Sequence, residues 1–179
     1  MKRFLAGFLA GTLFLLLSAL LFLHLGLAPV RADASLPSWP GHWLDASLHA
    51  SVRRQAKLRA NLVSPKESDL IAGGKLYLND CIGCHSAPGQ SASNFGATFY
   101  PPAPQLAIQG TSYNDAEAFW IAKHGIRRTG MSAQSATYSD DQLRQLTAFI
   151  FRMRSLPPGV MQAIQQKAEP SVPAPEATK

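Results

Sequence analysis

The stretch Asn79 to Gly89, NDCIGCHSAPG, holds the only two cysteines of a 179-residue chain. Cys81 and Cys84 are separated by two residues, and His85 follows directly. Three chemistries use such a pair: a redox-active dithiol, half of a zinc cage, or covalent attachment of a haem. They demand different things of the rest of the chain.

A structural zinc site requires four Cys or His ligands at paired spacings. There is no further cysteine, and the other histidines are His24, His42, His49 and His124. One lies in an apolar N-terminal run and two just beyond it. A thioredoxin-like dithiol requires a βαβ setting, and no strand pattern flanks the motif. C-x-x-C-H is the attachment signature of c-type haem. In that chemistry the two sulfurs form thioethers with the haem vinyl groups, and the Nε2 of His85 binds the iron. The sixth iron position can be open or filled from downstream, where His124, Met131, Met153 and Met161 are available. Met153 falls near the apolar face of a helix, Met161 near the tail and His124 at a helix end. Met131 lies in the irregular segment RRTGMSAQ, where a loop can carry a thioether over the ring, and it is the favoured ligand.

The elements that must position these residues are helical. Ser64-Pro65 is a helix start signal, and the following run to Asp80 places Leu70, Ile71, Gly74, Tyr77 and Leu78 on one face. Each member of the Gly73-Gly74 pair weakens that helix by about 1 kcal/mol relative to Ala, a cost that close approach of another helix would explain. Ser86 to Thr111 shows no periodicity and is rich in Gly, Pro, Ser and Ala. A loop of that length in a small domain is expected to be functional or wrapped around something. A short helix follows from Asn114 to Lys123, ended near Gly125. The run after Ser139 carries an S-x-x-Q capping box, acids first and arginines last as the helix dipole favours. Its apolar face is Leu143, Leu146, Phe149, Ile150 and Met153, and Pro157-Pro158 stop it. A brief helix can follow Gly159 before a Pro/Ala-rich tail that lacks the apolar content to fold.

Before the motif, Phe4 to Ala28 is 25 residues without Asp, Glu, Lys or Arg. As a helix it would run about 37 Å, enough to cross a hydrocarbon core of about 30 Å. Lys2 and Arg3 precede it, so the chain beyond Ala28 is expected outside the cytoplasm. Ala32-Asp33-Ala34 resembles a signal-peptidase site, but the apolar run exceeds the roughly 7 to 15 residues of a signal core, so an uncleaved anchor is expected. Outside the cytoplasm, neighbouring thiols do not stay single unless something holds them. Trp39 and Trp43 suit either the membrane interface or surface packing. Trp43 to Leu62 is expected to be an amphipathic helix through Leu44, Leu48, Val52, Leu58 and Leu62, with Arg53, Arg54, Lys57 and Arg59 either solvated or facing anionic headgroups.

The net charge of +6 is not spread evenly. Residues 66–156 hold eight basic against seven acidic side chains, and residues 31–62 hold five against two. The basic character therefore belongs to the N-terminal third and does not describe a nucleic-acid-binding domain. The expected organisation is an anchor (1–30), a linker with an amphipathic helix (31–64), a folded domain (65–158) and a flexible tail (159–179).

Taken together, GGKLYLNDCIGCHSAPG, YPPAPQL and AFWIAKHGIRRTGMSAQ, followed by the YSDDQLRQLTAFIFRM helix, resemble a class I c-type cytochrome of the single-haem, membrane-anchored bacterial type. The resemblance covers Lys66 to Pro158. It implies an all-α fold, three to five helices around one covalent haem c, behind a transmembrane helix. It implies Cys81 and Cys84 as the thioether positions, His85 and Met131 as the iron ligands, and a carbonyl between Tyr100 and Pro104 accepting from Nδ1 of His85. Arg127 and Arg128 are candidate contacts of a haem propionate. The implied function is electron transfer in a respiratory or periplasmic chain, not catalysis, with redox proteins and the membrane as partners and no small-molecule substrate. Alternatives are a subunit of a membrane-bound dehydrogenase or terminal oxidase, and a haem peroxidase or gas sensor. Related sequences usually carry Pro after the ligand methionine, whereas Ser132 follows here, implying a less rigid loop.

Overall fold

The computed structural model describes residues 1–27, 38–56 and 65–165, and the chain divides into two units, Met1–Ala34 and Ser35–Lys179. In the first unit, helix α1 spans Lys2–His24 with none of its residues buried. Its 23 residues cover about 34 Å, long and apolar enough to cross a membrane. The second unit is all helical among the described residues: α2 (Ser38–Ala56), α3 (Glu67–Asp80), α4 (Ile82–His85), a 3₁₀ turn at Gly96–Thr98, α5 (Leu106–Gln109), α6 (Asp115–His124), α7 (Asp140–Arg152) and α8 (Val160–Gln165).

Its core is the crossing of α3 and α7. Leu70 and Tyr77 from α3 meet Leu143, Leu146 and Phe149 from α7, with the Tyr77 and Phe149 rings 5.5 Å apart. The glycine pair is what lets the helices meet. A Cβ on Gly73 would strike the backbone of Gln145 and stand 2.8 Å from the amide nitrogen of Leu146. A Cβ on Gly74 would strike the Ile164 side chain and stand 3.0 Å from the Phe149 ring. Both glycines therefore pack against helices, Gly73 against α7 and Gly74 against α8 as well. Gln145 closes the crossing through its Nε2 donating to Asp69 at 3.1 Å.

The predicted caps of α6 and α7 form. The Asn114 side chain accepts from the Glu117 amide and the Glu117 carboxylate accepts from the Asn114 amide, each at 3.0 Å. Ser139 and Gln142 exchange the same pair of bonds at 3.3 and 2.9 Å. Helix α3 begins at Glu67, later than Ser64-Pro65 predicts, because the Asp69 carboxylate takes the Lys66 amide at 3.1 Å. Ser64 itself lies outside the described residues.

The boundaries drawn from sequence shift at both ends. Residues 160–165, assigned to the tail with only a brief helix allowed, form α8, whose Val160 and Ile164 are buried in the core. Residues 166–179 lie outside the described residues. At the other end, α2 packs on α6 instead of standing apart as a linker helix. Val52 and Ala56 are buried, the His49 ring stacks on Tyr113 at 4.7 Å, and Arg53 stands 3.9 Å from the Glu117 carboxylate. The buried face of α2 thus omits Leu44, which is exposed. Residues 57–62 of the predicted amphipathic helix, and the possible cleavage point at 32–34, lie outside the described residues.

Candidate functional site

Helix α3 delivers the motif at its C-terminal end. Cys81 is the residue on which α3 stops and α4 starts, and one tight turn carries the chain through Cys84 to His85. The amides of Cys84 and His85 both donate to the Cys81 carbonyl, at 3.2 and 2.9 Å. Beyond His85, Ser86 has φ 61°, which reverses the chain. Buried Tyr77 holds that reversal from below, its hydroxyl 2.7 Å from the Ser86 carbonyl and 3.1 Å from the His85 carbonyl. The Ser86 hydroxyl donates to the His85 carbonyl at 2.6 Å.

The irregular segment between Ser86 and Thr111 wraps back over the motif, as the absence of periodicity implied. Gly96 packs so tightly on the Cys84 carbonyl that no Cβ could fit. The Ser93 hydroxyl donates to the Gly83 carbonyl at 2.5 Å. Gln105 ties three strands of loop together: its Nε2 donates to Cys84 and Ala103 carbonyls at 3.1 and 2.8 Å, and its Oε1 accepts from the Ser93 amide at 2.7 Å. Sequence reasoning did not single out Ser93, Gly96 or Gln105. They act over separations of 10 to 21 residues, and no fixed spacing announces them.

The decisive contact is at His85. Its Nδ1 lies 2.7 Å from the Pro104 carbonyl oxygen. A carbonyl can only accept, so Nδ1 carries the hydrogen and Nε2 keeps its lone pair. Burial lowers the tendency of the imidazole to protonate, with the Pro104 bond opposing it. The ring is therefore neutral and oriented, with the Nε2 lone pair available to a metal. This is the arrangement in which a metal-binding histidine is fixed by a partner on its other nitrogen. The expected carbonyl between Tyr100 and Pro104 is that of Pro104.

The two thiols are free and half-buried. Burial, then the neighbouring Asp80 carboxylate and Cys84, push the Cys81 thiol up to about 12. A thiol held protonated in this way opposes dithiol exchange. Among the described residues there is no group of three or more His, Cys, Asp and Glu side chains that could hold a metal ion. What the motif does present is two thiols on one turn beside a histidine with a free Nε2, and these fit a haem c.

Met131 is half-buried in the loop that leaves α6. Gly125, at φ 66°, lets that loop close: a Cβ there would stand 2.6 Å from the Met131 carbonyl oxygen. The Ile126 amide donates to that carbonyl at 2.9 Å, while the Thr129 hydroxyl donates to the Ile126 carbonyl at 2.8 Å and accepts from the Met131 amide at 3.1 Å. Gly130 lies flat on the Phe99 ring, 2.6 Å from where its Cβ would be. The loop is thus braced by its own hydrogen bonds and by the wrapped segment, with Ser132 in place of proline. Of the rival ligands, Met153 is buried in the core, Met161 is on α8, and His124 is exposed with its ring 5.0 Å from Trp120. Arg127 and Arg128 are both exposed, and Arg128 takes φ 64° at the turn of the loop.

A family model described as "Cytochrome C oxidase, cbb3-type, subunit III" matches residues 68–150. No curated protein and no solved structure matches the chain. The matched span runs from the start of α3 to within α7, so it contains the motif turn, the wrapped segment and the Met131 loop, on an all-helical frame. Residues 68–150 are thus similar to this family, which supports a class I c-type cytochrome domain acting in electron transfer and implies a haem c.

Proposed function

We propose that this chain is a membrane-anchored, single-haem electron carrier, held by α1 in the inner membrane of a bacterium with its helical domain in the periplasm. Cys81 and Cys84 hold the haem through thioethers, His85 binds the iron through Nε2, and Met131 supplies the sixth ligand. The observation that carries the reading is the 2.7 Å bond between His85 Nδ1 and the Pro104 carbonyl, which presets the ring for ligation. The bound haem supplies a one-electron iron couple. The residues of the chain bind it, orient the histidine and keep water from its faces. With His85 and Met131 both holding the iron, no position would remain for a substrate, so the reading is that of an electron carrier. Arg127 and Arg128, exposed on the Met131 loop, are the candidates to meet a propionate or a partner.

Two measurements test this. A pyridine haemochrome assay is expected to return one haem c per chain, and zero after Cys81→Ala with Cys84→Ala. Met131→Ala is expected to abolish the methionine-sulfur charge-transfer band and lower the reduction potential by on the order of 0.1 V, a modest part of the ~0.8 V that axial ligands command. An unchanged spectrum and potential would remove Met131 from the site.

A second reading is favoured by the matched description, which is that of an oxidase subunit: the chain serves one fixed partner inside an oxidase complex. The chemistry at the haem is the same. Gentle solubilisation followed by size analysis separates the two, since a lone monomer is expected of a free carrier and a large assembly of a subunit.

A further inference from the structure

One face of α2 has no counterpart in the domain. At 100° per residue, Gly41, Leu48, His49, Val52 and Ala56 fall on one side, and all are buried or half-buried. Trp43 falls on the opposite side with Ala46, Ser47, Ala50 and Arg54, and Leu44 lies on the flank; all six are exposed. Trp43 and Leu44 retain 69% and 61% of their surface. The charges of α2 are divided in the same way. Asp45, its only acid, is on the inner side, 3.7 Å from His49, and Arg53 leans to the Glu117 carboxylate at 3.9 Å. Arg54 is left outside with no acid on its face.

An exposed indole and leucine, small neutral neighbours and an unopposed arginine suit a lipid headgroup layer. The indole is content half wet, and the arginine is drawn to anionic phosphate. The chain length makes that layer accessible. Ten residues, 28–37, separate Leu27 from Ser38, and ten residues span at most roughly 33 to 36 Å. A surface tethered so closely meets the bilayer at high effective concentration, so a weak affinity suffices. We propose that the outer face of α2, through Trp43, Leu44 and Arg54, docks on the headgroups of the membrane that α1 enters. The inner face of α2 grips α6, which leads into Gly125 and the Met131 loop, so docking would set the orientation of the haem domain to the bilayer. This rests on α1 being a membrane anchor.

The test uses full-length holoprotein carrying Trp39→Phe and Trp120→Phe, so that Trp43 is the only tryptophan. It is reconstituted in vesicles of phosphatidylcholine and phosphatidylglycerol, plain or brominated high on the acyl chains. The expected result is about twofold quenching of Trp43 emission by the brominated lipid, with poor access for acrylamide. Adding Leu44→Asp is expected to reverse both. Trp43 open to acrylamide and indifferent to bromine, in protein that still floats with the vesicles, overturns the docking and leaves the anchor standing. Protein that does not float overturns both. Shielding in native membranes but not in pure lipid overturns the lipid surface in favour of a protein partner.

Discussion

At the scale of single residues, the site depends on backbone groups as much as on the side chains of the motif. Tyr77 spends its one hydroxyl hydrogen on the carbonyls of His85 and Ser86 in the interior. Tyr77→Phe leaves the Ser86 carbonyl without that donor, which is expected to cost about 1 to 3 kcal/mol. Urea denaturation measures it, with a spectrum otherwise that of a bound haem. Gly96 is the tighter constraint. Any side chain there must displace the Cys84 carbonyl, so Gly96→Ala is expected to reduce covalent haem yield in cells sharply, read by haem-stained gels against total protein. A yield equal to wild type would show that the turn can shift without consequence.

At the scale of elements, two opposed effects meet at Gly73. Replacing a mid-helix glycine with alanine normally favours the helix by about 1 kcal/mol. Here the new methyl would strike the backbone of Gln145 in α7, and overpacking of a close crossing costs about 1 to 3 kcal/mol. Gly73→Ala is therefore expected to destabilise, by a lower urea midpoint at unchanged slope, and a stabilised variant would refute the close crossing. Helix α8 makes a second element-level prediction. Ile164 fills the space that Gly74 leaves open, so Ile164→Ala is expected to cost about 2 to 5 kcal/mol. Truncation after Pro158, harmless if residues 159–179 were only a tail, is expected to weaken the domain measurably in the same assay.

At the scale of the molecule, the apolar helix α1 and the helical domain belong to separate units, and on the proposed function their roles should separate too. With residues 1–30 replaced by a cleavable export signal, the protein is expected in the soluble periplasmic fraction with unaltered haem spectrum, whereas the full chain should resist carbonate extraction. A shifted spectrum in the released form would mean that the membrane segment takes part in building the site. Packing of α2 on α6 bears on the same question: Arg53 remains mostly exposed, so its pairing with Glu117 is worth at most about 1 kcal/mol. Buried Val52 and Ala56 hold the helix in place.

The sequence alone determined the helices with strong local signals. The capping boxes of α6 and α7, the apolar stripe from Leu143 to Met153 and the C-I-G-C-H run are all short-range patterns, and each persists in the fold. It also determined that the glycine pair needed a neighbour, because mid-helix glycine is costly. Only the tertiary structure decided what lies far apart in the chain. That Pro104 is the carbonyl on His85, that Gln105 reaches Cys84 across 21 residues, that Gly73 meets α7 and that α2 belongs to the domain all follow from packing. That the brief helix after Gly159 belongs to the core was hidden for the same reason: six residues have no stable helicity of their own, and it is burial of Val160 and Ile164 against α3 that holds α8 in the domain.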